Sequence, residues 1–355
     1  MSIIGQAVAA DQVRSGHQGG VDSGNVNPLY IEQYGGEVEH RILKDSFMRQ
    51  FFKFKTVRGT DTITNDRVGS SSLQKVARGI RPTDNSPTFD NISIKVDTIV
   101  LARTNEFVLD AFLSHIDTRK EIGVEHGKEI GKFFDESFLV QGIKASQVTN
   151  KDPSGGLFGG WEGSTPTNII RTAPEGFQGG TVQVLAGAGD ELDPDLLELA
   201  IQDLCQKVEE KDVEISEAVL LVRPAQYYAL LRNSKLISRD FSSMNGDYAK
   251  GDVLESCGVR IQKTNRFPKA GDVGVTHFLS NAGNGNAYDV TANDAKCVVC
   301  LLMPKALLAG ETIPLTSDVY FDKKEMQWFI DSYLSFAVTP NRAEMAAGIF
   351  SSTVA

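Results

Sequence analysis

Four cysteines and five histidines are the side chains of this sequence with obvious nucleophilic, redox or metal-binding capacity. Cys297 and Cys300 stand at C-x-x-C spacing, but inside a Val- and Leu-rich run, 296–303, of strand composition. Side chains of a strand alternate between its faces, so thiols three residues apart point away from each other. There is no second pair and no neighbouring histidine, and these two read as buried apolar cysteines. With Cys205 and Cys257 they look like reduced thiols, not a disulfide framework. His17, His40, His115, His126 and His277 share no metal-ligand spacing. H-E-x-x-H and G-x-S-x-G are absent. The Gly-rich stretch 153–189 lacks the Lys-Ser or Lys-Thr of a phosphate loop, and no GxGxxG opens a helix after a strand. It reads as a solvated connector. The many carboxylates follow helix surfaces. No catalytic residue, metal or cofactor is expected.

The elements that would have to position any such group centre on one long helix, 117–146. Ile116, Ile122, Ile130, Phe133, Phe134, Phe138 and Val140 fall on one face, and Glu121, Glu125, Lys128, Glu129, Lys132, Asp135 and Glu136 on the other. Asp117 suits its N-cap. Gly123, Gly127 and Gly131 recur on the apolar side, each costing about 1 kcal/mol against alanine, which suggests a backbone close over that face. His126 on that side reads as a packed histidine.

Before the helix, residues 1–28 are polar and Gly-rich, and read as a tail or as an arm ordered by a neighbour. A helix is expected over 29–50. Residues 51–100 are β in character: 91–97 alternates cleanly, 61–64 and 73–77 are weaker strands, and the turn-forming run 79–87 is far longer than a tight hairpin loop. The expectation is a long two-stranded arm with a charged tip, lying either on another chain or within its own domain. A two-stranded ribbon is marginal alone.

After the Gly-rich stretch, 190–303 reads as an α/β unit. Asp193-Pro194 is an N-cap with Pro at the first helical position, and Leu196, Leu197, Ala200, Leu204 and Val208 follow as its apolar face. A strand over 218–222, a helix from Arg223-Pro224, and strands at 258–261 and 296–303 complete it. From Ile313 the chain returns to strands, with Ile330, Leu334, Phe336 and Val338 on one face.

The 355 residues exceed what one core usually serves, and carry a net charge of −10. That balance argues against a protein that grips nucleic acid through a basic surface, though not against one that surrounds it. No apolar run reaches membrane-spanning length, and residues 1–10 lack the basic start of a signal peptide.

The order of polar arm, β-arm, long helix, inserted α/β unit and returning strands resembles tailed-phage major capsid proteins. More specifically, the chain is similar to those of short-tailed phages of the autographivirus type. The likeness is carried by Tyr34-Gly35-Gly36-Glu37-Val38, by 105–139 and 220–231, by Thr264-Asn265-Arg266-Phe267-Pro268, and by Arg342-Ala343-Glu344-Met345-Ala346-Ala347-Gly348. The Gly-rich stretch fits this order least. The resemblance implies an α+β, HK-97-type capsid fold: an N-terminal arm and short helix over 1–53, an extended β-arm over 54–104, a peripheral domain with the spine helix over 105–189, an axial domain over 190–310, and C-terminal strands over 311–355 returning to the peripheral domain. It implies hexamers and pentamers closing an icosahedral shell around phage double-stranded DNA, in the virion, assembled in the host cytoplasm. Scaffolding and portal proteins would be partners, and DNA would be enclosed without sequence-specific binding. A shell housing cargo enzymes, or a cytoplasmic α/β enzyme, are the alternatives.

On this reading Tyr34, Glu37, Lys75, Arg78, Arg81, Asp84, Ile92, Ile94, Val96, Arg342 and Glu344 are expected at subunit interfaces. The apolar row Ile92, Ile94 and Val96 should be poorly covered in a lone subunit. Ile94→Asp should then leave the subunit folded and block assembly. Some related shells carry Lys–Asn cross-links; Lys75 and Asn341 are present, but nothing in the sequence marks them as a reacting pair.

Overall fold

A computed structural model describes residues 46–56, 59–60, 62–69, 73–79, 81, 89–109, 118–151, 157–158, 172–173, 177–233, 246–247, 252–253 and 255–352. A short helix α1 (Phe47–Phe51) precedes strands β1 (Phe54–Thr56), β2 (Thr62–Val68), β3 (Phe89–Lys95) and β4 (Val100–Phe107), and then the long helix α2 (Thr118–Ser146). After β5 (Thr181–Val184) come α3 (Pro194–Glu209), β6 (Val219–Val222), α4 (Pro224–Leu230), β7 (Glu255–Ser256) and β8 (Val259–Lys263). The chain ends in β9 (Cys297–Leu302), β10 (Leu307–Asp322), β11 (Gln327–Pro340) and β12 (Ala346–Phe350). It divides into two compact units. One comprises the described residues of Met1–Phe51, Val96–Asp135 and Glu311–Phe336; the other those of Phe52–Lys95, Glu136–Gly310 and Ala337–Ala355.

In the first unit β11 pairs antiparallel with β4, from Gln327↔Phe107 to Leu334↔Val100. Arg103 and Asp331 are direct cross-strand partners, and the guanidinium forks onto the carboxylate at 2.7 and 2.6 Å. Ile330, Leu334 and Phe336 are buried, as their alternation requires. Phe134 of α2 meets Phe336 at 4.7 Å between ring centroids. Gly123, Gly127 and Gly131 are all buried. His126 is packed as expected, its Nε2 2.7 Å from the Thr104 hydroxyl. Asp135 departs from the amphipathic pattern. Placed on the polar face by periodicity, it is buried, and it accepts from the Ser46 hydroxyl at 2.6 Å and from the Phe47 and Met48 amides. The donor-bearing start of α1 is thereby capped by a residue of another helix. The expected helix over 29–50 and the Asp117 cap lie mostly outside the described residues.

The second unit is built on a six-stranded sheet in the order β7-β8-β6-β9-β12-β5. β8 and β6 run parallel, as do β12 and β5; β9 is antiparallel to both β6 and β12. β12, from the C-terminal part 311–355, lies between β9 and β5 in this sheet. All six residues of β9, Cys297 and Cys300 among them, are buried. Two-sided cover explains its unbroken apolar run. Helix α3 starts as expected: the Asp193 carboxylate accepts from the Asp195 and Leu196 amides at 2.9 and 3.3 Å, with Pro194 beside it. Leu197, Ile201, Leu204 and Val208 pack into the core with Leu220, Leu230 and Ile349. Leu196 does not, being 42% exposed. It sits one position around the helix from the stripe that Leu197 leads.

Arg223, read from sequence only as the start of α4, also joins three segments. Its guanidinium donates to the carbonyls of Cys297, Pro268 and Ala295 at 2.8, 2.8 and 2.9 Å and lies over the Phe267 ring. Burial pushes its pKa down, yet three carbonyls satisfy the charge's donors.

Candidate functional site

The structure offers little to acid–base or metal chemistry. Among the described residues no three metal-capable side chains converge. Burial drives the thiol pKa values of Cys297 and Cys300 up, which removes their nucleophilic form. His277 is half-buried, stacked on Tyr288 at 5.4 Å, and its pKa is pushed down to about 4 by loss of solvent. Cys205 lies on α3 and Cys257 in the turn between β7 and β8. Cys257 is exposed and Cys205 buried.

The β-arm is the feature that stands out. β2 and β3 pair antiparallel from Thr62↔Lys95 to Val68↔Phe89, so a long connection leaves their far end. Their register sets Ile63 opposite Ile94, Asn65 opposite Ile92 and Arg67 opposite Asp90, all on one face. That face is covered by the subunit itself, against expectation: Ile92, Ile94 and Val96 are 6%, 7% and 5% exposed. Ile63 lies so close over Gly310 that a side chain there would overlap it. The polar end of the face is tied down as well. Arg67 Nε donates to Asp90 at 2.7 Å, and a terminal nitrogen of the same guanidinium donates to the Asn341 carbonyl. The guanidinium also stacks 4.6 Å from the Phe177 ring. Asn65 donates to the Asn341 side-chain oxygen at 3.1 Å, and Asn341 donates to the Lys305 carbonyl at 3.2 Å. Both ends of the Asn341 amide are therefore engaged within the subunit.

Beyond the ribbon the reverse holds. Residues 73–77, expected as a weak strand, form no strand in the structure. Leu73, Lys75, Val76, Arg78 and Arg81 are all exposed. This crest combines apolar groups with cations and touches little of its own subunit. Asp84, Tyr34 and Glu37 lie outside the described residues. Arg342 and Glu344 form an ion pair at 3.0 Å. They line an open cleft of about 600 Å³ whose other walls include Val68 and Gly69, at the end of β2. Sequence reasoning missed Lys211 in the same cleft. Its ammonium donates to the Gly179 and Gly180 carbonyls and to the Thr181 hydroxyl at 3.0, 2.9 and 2.7 Å, and burial brings its pKa down to about 8. The cleft also brings the Ser216 hydroxyl to the Glu214 carboxylate, to which it donates at 2.9 Å. Its charges hold backbone and one another.

A protein-family model described as Gp10A-like: Major capsid protein matches residues 166–307. The match takes in the later part of the Gly-rich stretch that fitted the capsid pattern least. No curated protein sequence matches the chain. Among solved structures, the subunit of the bacteriophage PhiM1 mature capsid aligns at a TM-score of 0.69 and 24% identity, over 87% of this chain and 88% of that one. The capsid of cyanophage P-SCSP1u aligns at 0.70 and 18%, over 87% and 88%. The capsid of a native GTA particle aligns at 0.53 and 12%, over 87% and 90%. The fold is thus α+β and of the HK-97-type capsid class.

Proposed function

We propose that this protein is the major capsid protein of a bacteriophage, closing with copies of itself into an icosahedral shell around double-stranded DNA. The single observation that carries the reading is that capsid subunits align along almost the whole chain, 87% of it, and not over one domain. The β-arm supports it: a root fixed in the subunit and an exposed apolar and cationic crest suit a strap laid over a neighbour. The net charge of −10 suits a wall that contains DNA without gripping it, since tight phosphate contacts oppose packaging and release.

In this reading 190–310 is the axial domain gathered at the centres of hexamers and pentamers, 54–104 the arm, and 105–189 with the returning strands the periphery. The phage is of the short-tailed, autographivirus type. The shell grows in the host cytoplasm around a scaffolding protein, with a portal protein at one vertex. Co-expression with the scaffolding protein, followed by electron microscopy and native mass spectrometry, tests this. Closed particles of uniform size are expected. A stable monomer or dimer under those conditions overturns the reading, and particles filled with a cargo protein replace DNA as the content.

A further inference from the structure

Copies that close a ring around an axis meet head to tail, so each must carry two different, complementary patches. The second unit has two that fit this description. The first lies at the start of α3. Leu196 and Leu199, 42% and 51% exposed, are three residues apart on α3, outside the stripe that Leu197 and Ile201 bury, and Leu192, 50% exposed, lies just before the Asp193 cap. From 185 to 206 the chain carries Asp190, Glu191, Asp193, Asp195 and Asp203 besides the buried Glu198, and no Lys or Arg, so the rim of this leucine stripe is acidic. The second patch follows β8. Val275 and Phe278 are 59% and 81% exposed, and Val273 is exposed beside them. From 259 to 271 the chain carries Arg260, Lys263, Arg266 and Lys269 and no Asp or Glu.

The patches also occupy different parts of the sheet. α3 packs over β5 and β12. The basic segment leaves from β8, across β6 and β9 from those strands. An apolar centre with an acidic rim and an apolar centre with a basic rim are matched in both respects.

We infer that the leucine stripe of one copy seats the basic loop 263–278 of the next, a heterologous contact repeated around each ring. This rests on the shell reading and names the surfaces that build it. Block charge reversal tests it. Asp195→Lys with Asp203→Lys reverses the stripe's rim; Lys263→Glu with Lys269→Glu reverses the loop's. All four side chains are exposed, and circular dichroism and thermal unfolding of each variant verify that the subunit is intact. Under conditions in which the wild type closes, each block alone should cut sedimenting particles at least tenfold, and the two combined should bring them back to within about threefold of wild type. Either block assembling like the wild type overturns the contact. A combined variant no better than the single blocks overturns it too, and assigns the stripe to another occupant such as the scaffolding protein. Failure of the wild type itself to close under any condition refutes the shell reading, a different outcome from wild-type closure with indifferent variants.

Discussion

Arg67 and Asn341 are 274 residues apart in the chain, and the guanidinium of the first donates to the backbone carbonyl of the second. That bond, with the Asp90 pair opposite and the Phe177 ring above, fixes the root of the β-arm to the turn just after β11. The root of the arm therefore has a defined place in the subunit.

Arg67→Ala removes an Arg side chain only 7% exposed and leaves Asp90 and the Asn341 carbonyl without their donor. Asp90 keeps some access to water, so the expected loss is about 2 kcal/mol, below that of a fully buried pair. Arg67→Lys should recover little, because a point ammonium cannot fork between two acceptors and stack on the ring at once. Denaturant unfolding of the assembly-naive subunit measures both.

Ile94→Asp separates the root of the arm from its crest. Because Ile94 is buried within the subunit, the charge would be placed in an apolar layer, and about 3 kcal/mol or more of stability should be lost. Circular dichroism should see the subunit loosen before any assembly step, the opposite of what the sequence led one to expect. Leu73→Asp, on the exposed crest, should change subunit stability by less than about 0.5 kcal/mol while reducing shell yield. Normal shells from Leu73→Asp would remove the crest from the set of intersubunit contacts.

These two positions mark where sequence reasoning stopped. Local chemistry was legible: Asp193-Pro194 starts α3 because cap and first turn are neighbours in the chain. The alternation of Ile92 and Ile94 was legible for the same reason, but not what covers it, since Gly310 and Asn341 come from the far end of the sequence. Asp135 was misplaced because the Ser46 hydroxyl that accounts for its burial is 89 residues away. Leu196 and Leu197 are neighbours in the chain but roughly 100° apart around the helix, and a face drawn wide enough to hold both took in one that points to solvent. The Val-rich strand around Cys297 and the long helix were plain because each is a continuous pattern.

His277 sets an acid limit. Its folded pKa of about 4 lies below the unfolded 6.5. Between those values the unfolded chain binds a proton there and the folded chain does not, so stability falls as pH drops through this window. The loss tends to at most about 3 kcal/mol near pH 4 and grows no further below it. His277→Gln should flatten the stability profile between pH 6.5 and 4, measured by urea midpoints at closely spaced pH values. An unchanged slope would mean that the ring takes up its proton in the folded state.

Lys211 and Gly180 make the last test, because they hold the same crossing from two sides. Gly180 passes over the end of α2 so closely that a side chain would overlap the carbonyl oxygens of Ala145 and Ser146, while its amide donates to the Val148 carbonyl at 2.8 Å. Gly180→Ala must push backbone against backbone and should cost about 1–3 kcal/mol. Lys211 holds the same segment by donating to the Gly179 and Gly180 carbonyls. Its folded pKa of about 8 lies below the unfolded 10.5. Between them the unfolded chain binds the extra proton, so stability contributed at this site rises as pH climbs from 8 towards 10.5. Lys211→Met should abolish that rise while losing the three donated bonds. If the segment depends on both residues, the double variant Gly180→Ala with Lys211→Met should lose less than the sum of the single losses, since the crossing is already displaced when the second change is made. Strict additivity in denaturant unfolding would show the two contacts to be independent.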